Sequence, residues 1–118
     1  ILISIHCNAA GNGSNWMQAR GWEAWTSVGQ TKADKLADYL YGAAEEYLPG
    51  MKIRKDMADG DPDKESSFYI LKHTKCPAVL TENLFQDNKE DVDFLLSEEG
   101  KRTIVSLHVK GICKYLKV

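Results

Sequence analysis

The sequence ILISI at residues 1–5 is a short and nearly continuous apolar run that contains β-branched side chains. Such a run is typical of a strand that is buried on both faces of a parallel sheet. The sequence PAVLT at residues 77–81 has the same character, and the alternating aromatic segment WEAWT at residues 22–26 predicts another strand. The chain is therefore expected to contain a central sheet.

Helix signals separate and follow these strands. Thr31 and Asp34 form a capping-box pattern ahead of an apolar stripe, and the dipeptide at 49–50 (PG) ends that helix. A shorter helix is predicted over residues 89–96, and Ser97 is placed to cap the last helix. Strands that alternate with helices predict a layered α/β fold.

Two segments between these elements are less regular. Residues 68–71 form a short apolar run that predicts a strand or a helical turn. Residues 55–67 are charged, contain Gly and Pro, and have almost no large apolar side chains. This composition predicts an exposed loop.

Length and composition exclude several classes of protein. The chain has 118 residues and a formal net charge of −2, so it suits one domain and lacks the basic excess of a general nucleic-acid binder. No apolar run is long enough for a transmembrane helix, and no signal peptide is visible. Its three cysteines form no CxxC pair, so neither a zinc ribbon nor a disulfide framework is indicated. Because the chain starts at Ile1, inside a strand pattern, we expect a longer parent protein.

His6 and Glu82 each follow an apolar strand directly. Active sites of open α/β sheets collect at the carboxyl ends of strands, so these two side chains could meet in one crevice. Histidine is the commonest metal ligand, and a glutamate beside an apolar strand can act as a general base. Structural roles are open for both: a hydrogen-bonded histidine at the core edge, and a capping or ion-paired carboxylate.

The remaining chemical candidates are weaker. His73 precedes a turn and is expected to face solvent, whereas His108 lies on a helix stripe and is expected to pack at the core edge. Cys76 is interpreted as a small apolar filler. Cys7 is the best nucleophile among the cysteines, but adjacent strand residues point to opposite faces, so it is poorly placed to pair with His6. Three tryptophans lie within ten residues, and core packing is their default interpretation; they are Trp16, Trp22 and Trp25.

Four blocks of the sequence resemble the motifs of zinc-dependent N-acetylmuramoyl-L-alanine amidases, in the order of that family. Residues 3–9 (ISIHCNA) resemble SIHxNA, and residues 20–25 (RGWEAW) resemble RGxExY. Residues 66–74 (SSFYILKHT) resemble xxFxVLRxT, and residues 76–85 (CPAVLTENLF) resemble xPAVLVExGF. Asn88 and Asp91 fit the SNxxD that follows. Asn83 and Cys7 depart from residues that are common in the family.

The resemblance implies a three-layer α/β/α sandwich with a mostly parallel central sheet, of the phosphorylase/hydrolase-like type. It implies hydrolysis of the amide bond between N-acetylmuramic acid and the L-alanine of the peptidoglycan stem peptide. By motif, His6 corresponds to the last of three Zn²⁺ ligands, and Glu82 corresponds to the glutamate that serves as general base and acid. Such an enzyme works in the cell envelope or outside the cell.

The family's first two zinc ligands, a His and a Glu, lie upstream of the motif that begins this chain. We therefore interpret residues 1–118 as the C-terminal part of a single amidase domain whose N-terminal strands are missing. The remaining Zn²⁺ ligands are expected upstream of residue 1, and this part alone is expected to be inactive. Exposed sheet edges of this kind favour self-association.

Two other functions stay open at this point. One is a non-catalytic cell-wall-binding or regulatory relic that keeps the fold without the metal. The other is a hydrolase based on Cys7, which predicts inactivation by iodoacetamide and indifference to chelators. Whether the parent protein is a host autolysin or a phage lysin, and which stem peptide it prefers, is also open.

Overall fold

The computed structural model describes residues 1–29, 31–58, 60 and 62–118, and these ranges contain four strands and four helices. In chain order the elements are β1 (Leu2–Asn8), β2 (Trp22–Thr26), α1 (Lys32–Tyr47), β3 (Lys64–Glu65), α2 (Tyr69–His73), β4 (Ala78–Phe85), α3 (Lys89–Leu96) and α4 (Glu98–Leu116). The three predicted strands and the three predicted helices are confirmed, and the run at 68–71 proves to enter a helix.

The strands form one sheet in the order β1-β4-β2-β3. β1 pairs with β4 in parallel, and β2 pairs with β3 in parallel, whereas β2 and β4 are antiparallel. The predicted, mostly parallel sheet is therefore confirmed. Because β4 lies between β1 and β2, side chains from three strands share each row across the sheet.

Local hydrogen bonds fix where the long helices begin. The hydroxyl of Thr31 accepts the N–H of Ala33, and the carboxylate of Asp34 accepts the N–H of Thr31 at 2.9 Å, which completes the capping box. The hydroxyl of Ser97 accepts the N–H of Gly100 at 2.9 Å at the start of α4. Each such cap stabilises its helix by about 1 kcal/mol.

Helices cover both faces of the sheet, which gives the three predicted layers. On one face α1 and α4 pack around a core in which Trp22, Leu36 and Leu40 are fully buried. Full burial of side chains of this size stabilises the fold by about 2–3 kcal/mol each. On the other face Leu71 of α2 packs against Leu80 of β4.

Two expectations about element boundaries are wrong. β1 continues to Asn8, so His6 lies within the strand and not after it, and Glu82 likewise lies within β4. The backbone pairing persists there, with His6 opposite Glu82, although the side chains have become polar. The predicted strands ended where the apolar run ends, but the backbone pairing between β1 and β4 continues for several more residues.

Part of the predicted loop at 55–67 belongs to the sheet. Asp63 is buried, where it accepts a hydrogen bond from the hydroxyl of Thr26. The N–H of Ser66 donates to the carbonyl of Thr26 at 3.0 Å, and Lys64–Glu65 forms β3 beside β2. Asp59 and Asp61 of this loop lie outside the described residues. A polar segment can add a strand when its buried groups find partners, which composition does not reveal.

β1 is an edge strand of the described sheet, and apolar side chains are exposed beside it. Ile5 is 60% exposed, and Val105 of α4, which lines the same surface pocket as Ile5, is also exposed. The expected apolar edge is therefore present. Within the described ranges, no helix combines the length and the apolar character needed to cross a bilayer.

Candidate functional site

Three ionisable side chains lie side by side on one row of the sheet. His6 of β1 is the register partner of Glu82 of β4, and Glu82 is the register partner of Glu23 of β2. Directly opposed residues in a sheet share a face, and neighbouring strands are about 4.8 Å apart. The structure thus brings together His6 and Glu82, which the sequence analysis identified as candidates. It adds Glu23 of β2, on the other side of Glu82.

Glu82 carries a carboxylate that the rest of the site does not fully satisfy. Its Oε2 atom is buried and has no hydrogen-bond partner among the described residues. Burial is the main reason why the pKa of Glu82 is raised; the nearby His6 opposes this shift, and the charge of Glu23 adds to it. A raised pKa makes this carboxylate a stronger base, and the free lone pair of Oε2 is available to accept a proton.

His6 presents its imidazole at the surface, beside that carboxylate. The side chain is exposed, and its Nε2 atom lies 2.8 Å from the hydroxyl oxygen of Ser4, two residues earlier on the same face. An accessible imidazole with one ring nitrogen free of protein partners can bind a metal ion. The position is therefore compatible with the ligand role that the motif implies.

A β-bulge immediately follows this pair. Two residues of β4, Asn83 and Leu84, stand opposite the single residue Cys7, and Leu84 has a left-handed φ of 67°. The amide nitrogen of Asn83 donates to the carbonyl of His6 at 3.0 Å, and its amide oxygen accepts the indole N–H of Trp22 at 2.8 Å. Asn83, which departs from the family pattern, therefore ties β1 to β4 at the site. Bulges of this kind re-aim side chains beside active sites.

Glu23 is the residue of this row that the sequence analysis quoted in a motif without assigning it a role. It is only 2% exposed, and its carboxylate accepts a hydrogen bond from the amide of Asn8 at 2.6 Å. It also forms ion pairs with Arg54 at 3.2 Å and with Lys64 at 3.0 Å. Lys64 comes from the segment predicted as a loop, so the network could not be assembled from sequence spacing.

The described residues do not complete a catalytic zinc site. No group of three or more His, Cys, Asp and Glu side chains that could hold a metal ion occurs in residues 1–29, 31–58, 60 and 62–118. A catalytic zinc ion needs three protein ligands. The exposed imidazole of His6 and the orphaned oxygen of Glu82 fit part of such a site and not the whole of it.

The structure does not favour Cys7 as a nucleophile. Burial and the charge of Glu82 raise the pKa of the Cys7 thiol, so it stays protonated near neutral pH, unlike an activated cysteine nucleophile. Among the other candidates, Cys76 is exposed, so its interpretation as a buried filler is wrong: the described fold gives it no apolar pocket to fill.

The other two histidines lie where the sequence placed them. His73 is exposed and stacks on the ring of Tyr69. His108 is buried: its Nδ1–H donates to the carbonyl of Ile104 at 2.7 Å, and its Nε2 accepts the hydroxyl of Thr81 at 2.9 Å. Burial lowers the pKa of His108, so the ring is neutral and structural.

Comparison with known proteins places this fold in a family. The family model described as N-acetylmuramoyl-L-alanine amidase (Amidase_3) matches residues 1–114. The endolysin of Bacillus phage SPP1 is 31% identical over 120 residues, which cover 100% of this chain and 41% of the endolysin. The amidase CwlM of Bacillus licheniformis is 37% identical over 51 residues, which cover 43% of this chain and 20% of CwlM.

The crystal structure of an N-acetylmuramoyl-L-alanine amidase from Clostridium difficile 630 matches with a TM-score of 0.82 and 27% identity, over 98% of this chain and 57% of that one. The chain thus spans about half the length of the relatives that it matches over its whole extent. With nearly all of its residues matched by the family model, the chain belongs to the N-acetylmuramoyl-L-alanine amidase family.

Proposed function

We propose that residues 1–118 are the C-terminal part of one amidase catalytic domain that hydrolyses the bond between N-acetylmuramic acid and the L-alanine of the stem peptide. The observation that supports this most is the row in which the exposed His6 adjoins Glu82, whose Oε2 has no partner among the described residues. A structural carboxylate at this position would be expected to use both oxygens. Family membership supplies the class of reaction.

Glu82 acts as general base and then as general acid in this proposal. It takes a proton from the attacking water and returns one to the leaving amine of L-alanine. The raised pKa of Glu82 supports the first step, because a carboxylate with a higher pKa is a stronger base. Glu23 does not compete for this role, because Arg54 and Lys64 compensate its charge.

His6 would hold zinc as one of three ligands, and we propose that the other two come from residues upstream of Ile1. Zinc, when bound, supplies Lewis-acid chemistry that polarises the scissile carbonyl and makes water nucleophilic at neutral pH. Asn83 keeps β1 against β4 and so sets where the His6 imidazole lies relative to Glu82. Residues 1–118 alone are then inactive.

The substrate sets the place of action. Because peptidoglycan lies outside the cytoplasmic membrane, we propose the cell envelope or the extracellular space, for either a host autolysin or a phage lysin. Self-association through the edge strand β1, where Ile5 is exposed, stays a prediction, which sedimentation velocity at increasing concentration tests.

A second candidate is a wall-binding relic of the amidase fold without catalysis. The described ranges hold only part of a metal site, and both proposals account for this. The two proposals differ in what the residues before Ile1 contribute. A relic keeps peptidoglycan binding without zinc and without hydrolysis, even when those residues are present.

Substitutions at the two proposed positions separate metal binding from proton transfer. We expect Glu82→Gln, in a protein that includes the residues before Ile1, to keep about one zinc per chain and to lose about 10²–10⁴-fold in kcat. His6→Ala should lose both zinc and activity. Elemental mass spectrometry and a peptidoglycan digest measure the two properties. Loss of zinc on Glu82→Gln, or full zinc on His6→Ala, would contradict the assignment of roles.

A further inference from the structure

The loop after β1 lines a partly open cavity of about 670 Å³ that the proposed chemistry does not use. It lies where β1 and β4 end, a few residues beyond His6 and Glu82 along each strand. Its lining includes six side chains that matter here: Asn12, Ser14, Asn15, Trp16, Gln86 and Asp87. A volume of this size accommodates one or two sugar rings or a short peptide.

Hydrogen bonds to one aspartate hold this loop in place. The carboxylate of Asp87 accepts the N–H groups of Ala10 at 2.9 Å and of Gly11 at 2.8 Å. The carbonyl of Asp87 accepts the N–H of Met17 at 2.6 Å, and the amide of Asn88 donates to the carbonyl of Met17 at 3.2 Å. Both ends of the loop are therefore anchored, and the cavity is formed before any ligand arrives.

Trp16 is the one tryptophan of the three that is not packed into the protein. Its side chain is 60% exposed at the cavity, whereas Trp22 is fully buried and Trp25 packs against the apolar cluster that contains Leu71. An indole ring presents a large flat apolar face with a negative quadrupole, which attracts the C–H groups of a ligand ring. The amides of Asn12, Asn15 and Gln86 supply donors and acceptors around it.

The charge of the lining selects against an acidic ligand. Among the described lining residues there is no Lys or Arg, and the only ionisable side chain is Asp87. The N–H groups of Gly11 and Ala10 lower the pKa of Asp87, so it is anionic at neutral pH. A stem peptide, which ends in a carboxylate, would find no cation to pair with there, whereas a neutral ring with hydroxyl and acetamido groups needs none.

We propose that this cavity binds a neutral N-acetylhexosamine ring of the glycan strand, stacked on the indole of Trp16 and hydrogen-bonded by Asn12, Asn15 and Gln86. The inference rests on the proposed function, because the cavity lies at the ends of the two strands that carry His6 and Glu82. It makes the glycan strand, in addition to the stem peptide, part of what is recognised.

The test is a titration of the 118-residue chain with chitotetraose, a neutral oligosaccharide of N-acetylglucosamine that carries no peptide. We expect saturable quenching and a blue shift of the exposed Trp16 fluorescence. Isothermal titration calorimetry on Trp16→Ala should show at least tenfold weaker binding, and Trp16→Phe, which keeps a ring, should lose less. Val109→Ala, which removes a different exposed apolar side chain, is the matched control and should bind normally.

Three results would overturn the inference: no saturable binding of chitotetraose by the wild-type chain, equal binding by the folded Trp16→Ala variant, or Trp16-dependent binding of a free stem peptide in preference to the sugar. Circular dichroism confirms that each variant is folded, which is expected because Trp16 is exposed. Sugar binding needs neither zinc nor Glu82. Its failure therefore leaves the amidase proposal standing, and a failure of the amidase proposal leaves this binding result intact.

Discussion

Glu82 and Glu23 are neighbours on one row of the sheet, and they should respond in opposite ways when each loses its charge. Glu23 is buried and compensated by Arg54, Lys64 and the amide of Asn8. Glu23→Gln therefore leaves two cations without their partner. Breaking a buried ion pair costs about 3–5 kcal/mol, and we expect about 3 kcal/mol because both cations keep some contact with water.

Glu82→Gln should instead stabilise the fold at pH 7. The charged carboxylate of Glu82 is desolvated, and its Oε2 has no partner among the described residues, so the neutral amide removes a penalty. The side chain is half-buried, and water screens part of that penalty, so the gain is up to about 1 kcal/mol. At about 4 °C per kcal/mol, Glu23→Gln lowers Tm by about 12 °C, and Glu82→Gln raises it by up to about 4 °C.

The pH dependence of stability tests whether the charge of Glu82 destabilises the fold. The pKa of Glu82 is raised above its ordinary value of 4.5 in the folded chain, so the folded state binds the proton more tightly than the unfolded state does. The contribution of Glu82 to wild-type stability is therefore present below pH 4.5, the pKa of an ordinary glutamate, and is lost as the pH rises through the pKa that Glu82 has in the folded chain. Urea unfolding of both variants at pH 4 and pH 7 measures this. Destabilisation by Glu82→Gln at pH 7, or no loss with Glu23→Gln, would refute the reasoning.

Three further predictions concern packing, pH and the cysteine alternative. Gly111→Ala places a Cβ 2.7 Å from Leu40 Cδ2 and should lower the free energy of unfolding by about 1–2 kcal/mol. Gly42→Ala, whose Cβ meets nothing within 4 Å, should raise it by up to about 1 kcal/mol, and urea unfolding measures both changes. Burial lowers the pKa of His108, so the unfolded state binds more protons and the free energy of unfolding falls as pH drops below about 6.5. In His108→Gln the free energy of unfolding should depend less on pH in this range, and an unchanged pH dependence would contradict the prediction. Cys7→Ser should keep full hydrolysis in the complete domain and a chelator should abolish it, whereas iodoacetamide-sensitive, chelator-resistant activity would instead favour Cys7 as nucleophile.

The sequence predicted those features that depend on neighbours along the chain. Thr31 with Asp34 and Ser97 mark helix starts through side chains that reach only two or three residues, so their caps were predictable. The apolar run around Val79 predicts a buried strand for the same reason. The run around Ile3 also forms a strand, but the expectation that it is buried on both faces is wrong, because β1 is an edge strand of the described sheet and its residues are only partly buried or exposed. Both candidate site residues could be placed because each follows such a run.

Features that depend on tertiary contacts could not be predicted in this way. The Asp63 carboxylate is buried because Thr26, far away along the chain, donates to it. The position of Asn83 in a bulge depends on the indole of Trp22 and the carbonyl of His6, which periodicity does not bring together. The cation partners of Glu23 could not be predicted either. Arg54 lies outside the helices and strands, and Lys64 belongs to the two-residue strand β3.

The chemistry of the products tests the central claim most directly. Purified peptidoglycan digested by the protein with its residues before Ile1 should release new L-alanine amino termini, detected by dinitrophenylation and mass spectrometry, without new reducing sugar ends. The Glu82→Gln variant should release almost none. New reducing ends, amino termini other than L-alanine, or undiminished release by Glu82→Gln would contradict the assignment of this chain to amide hydrolysis through Glu82.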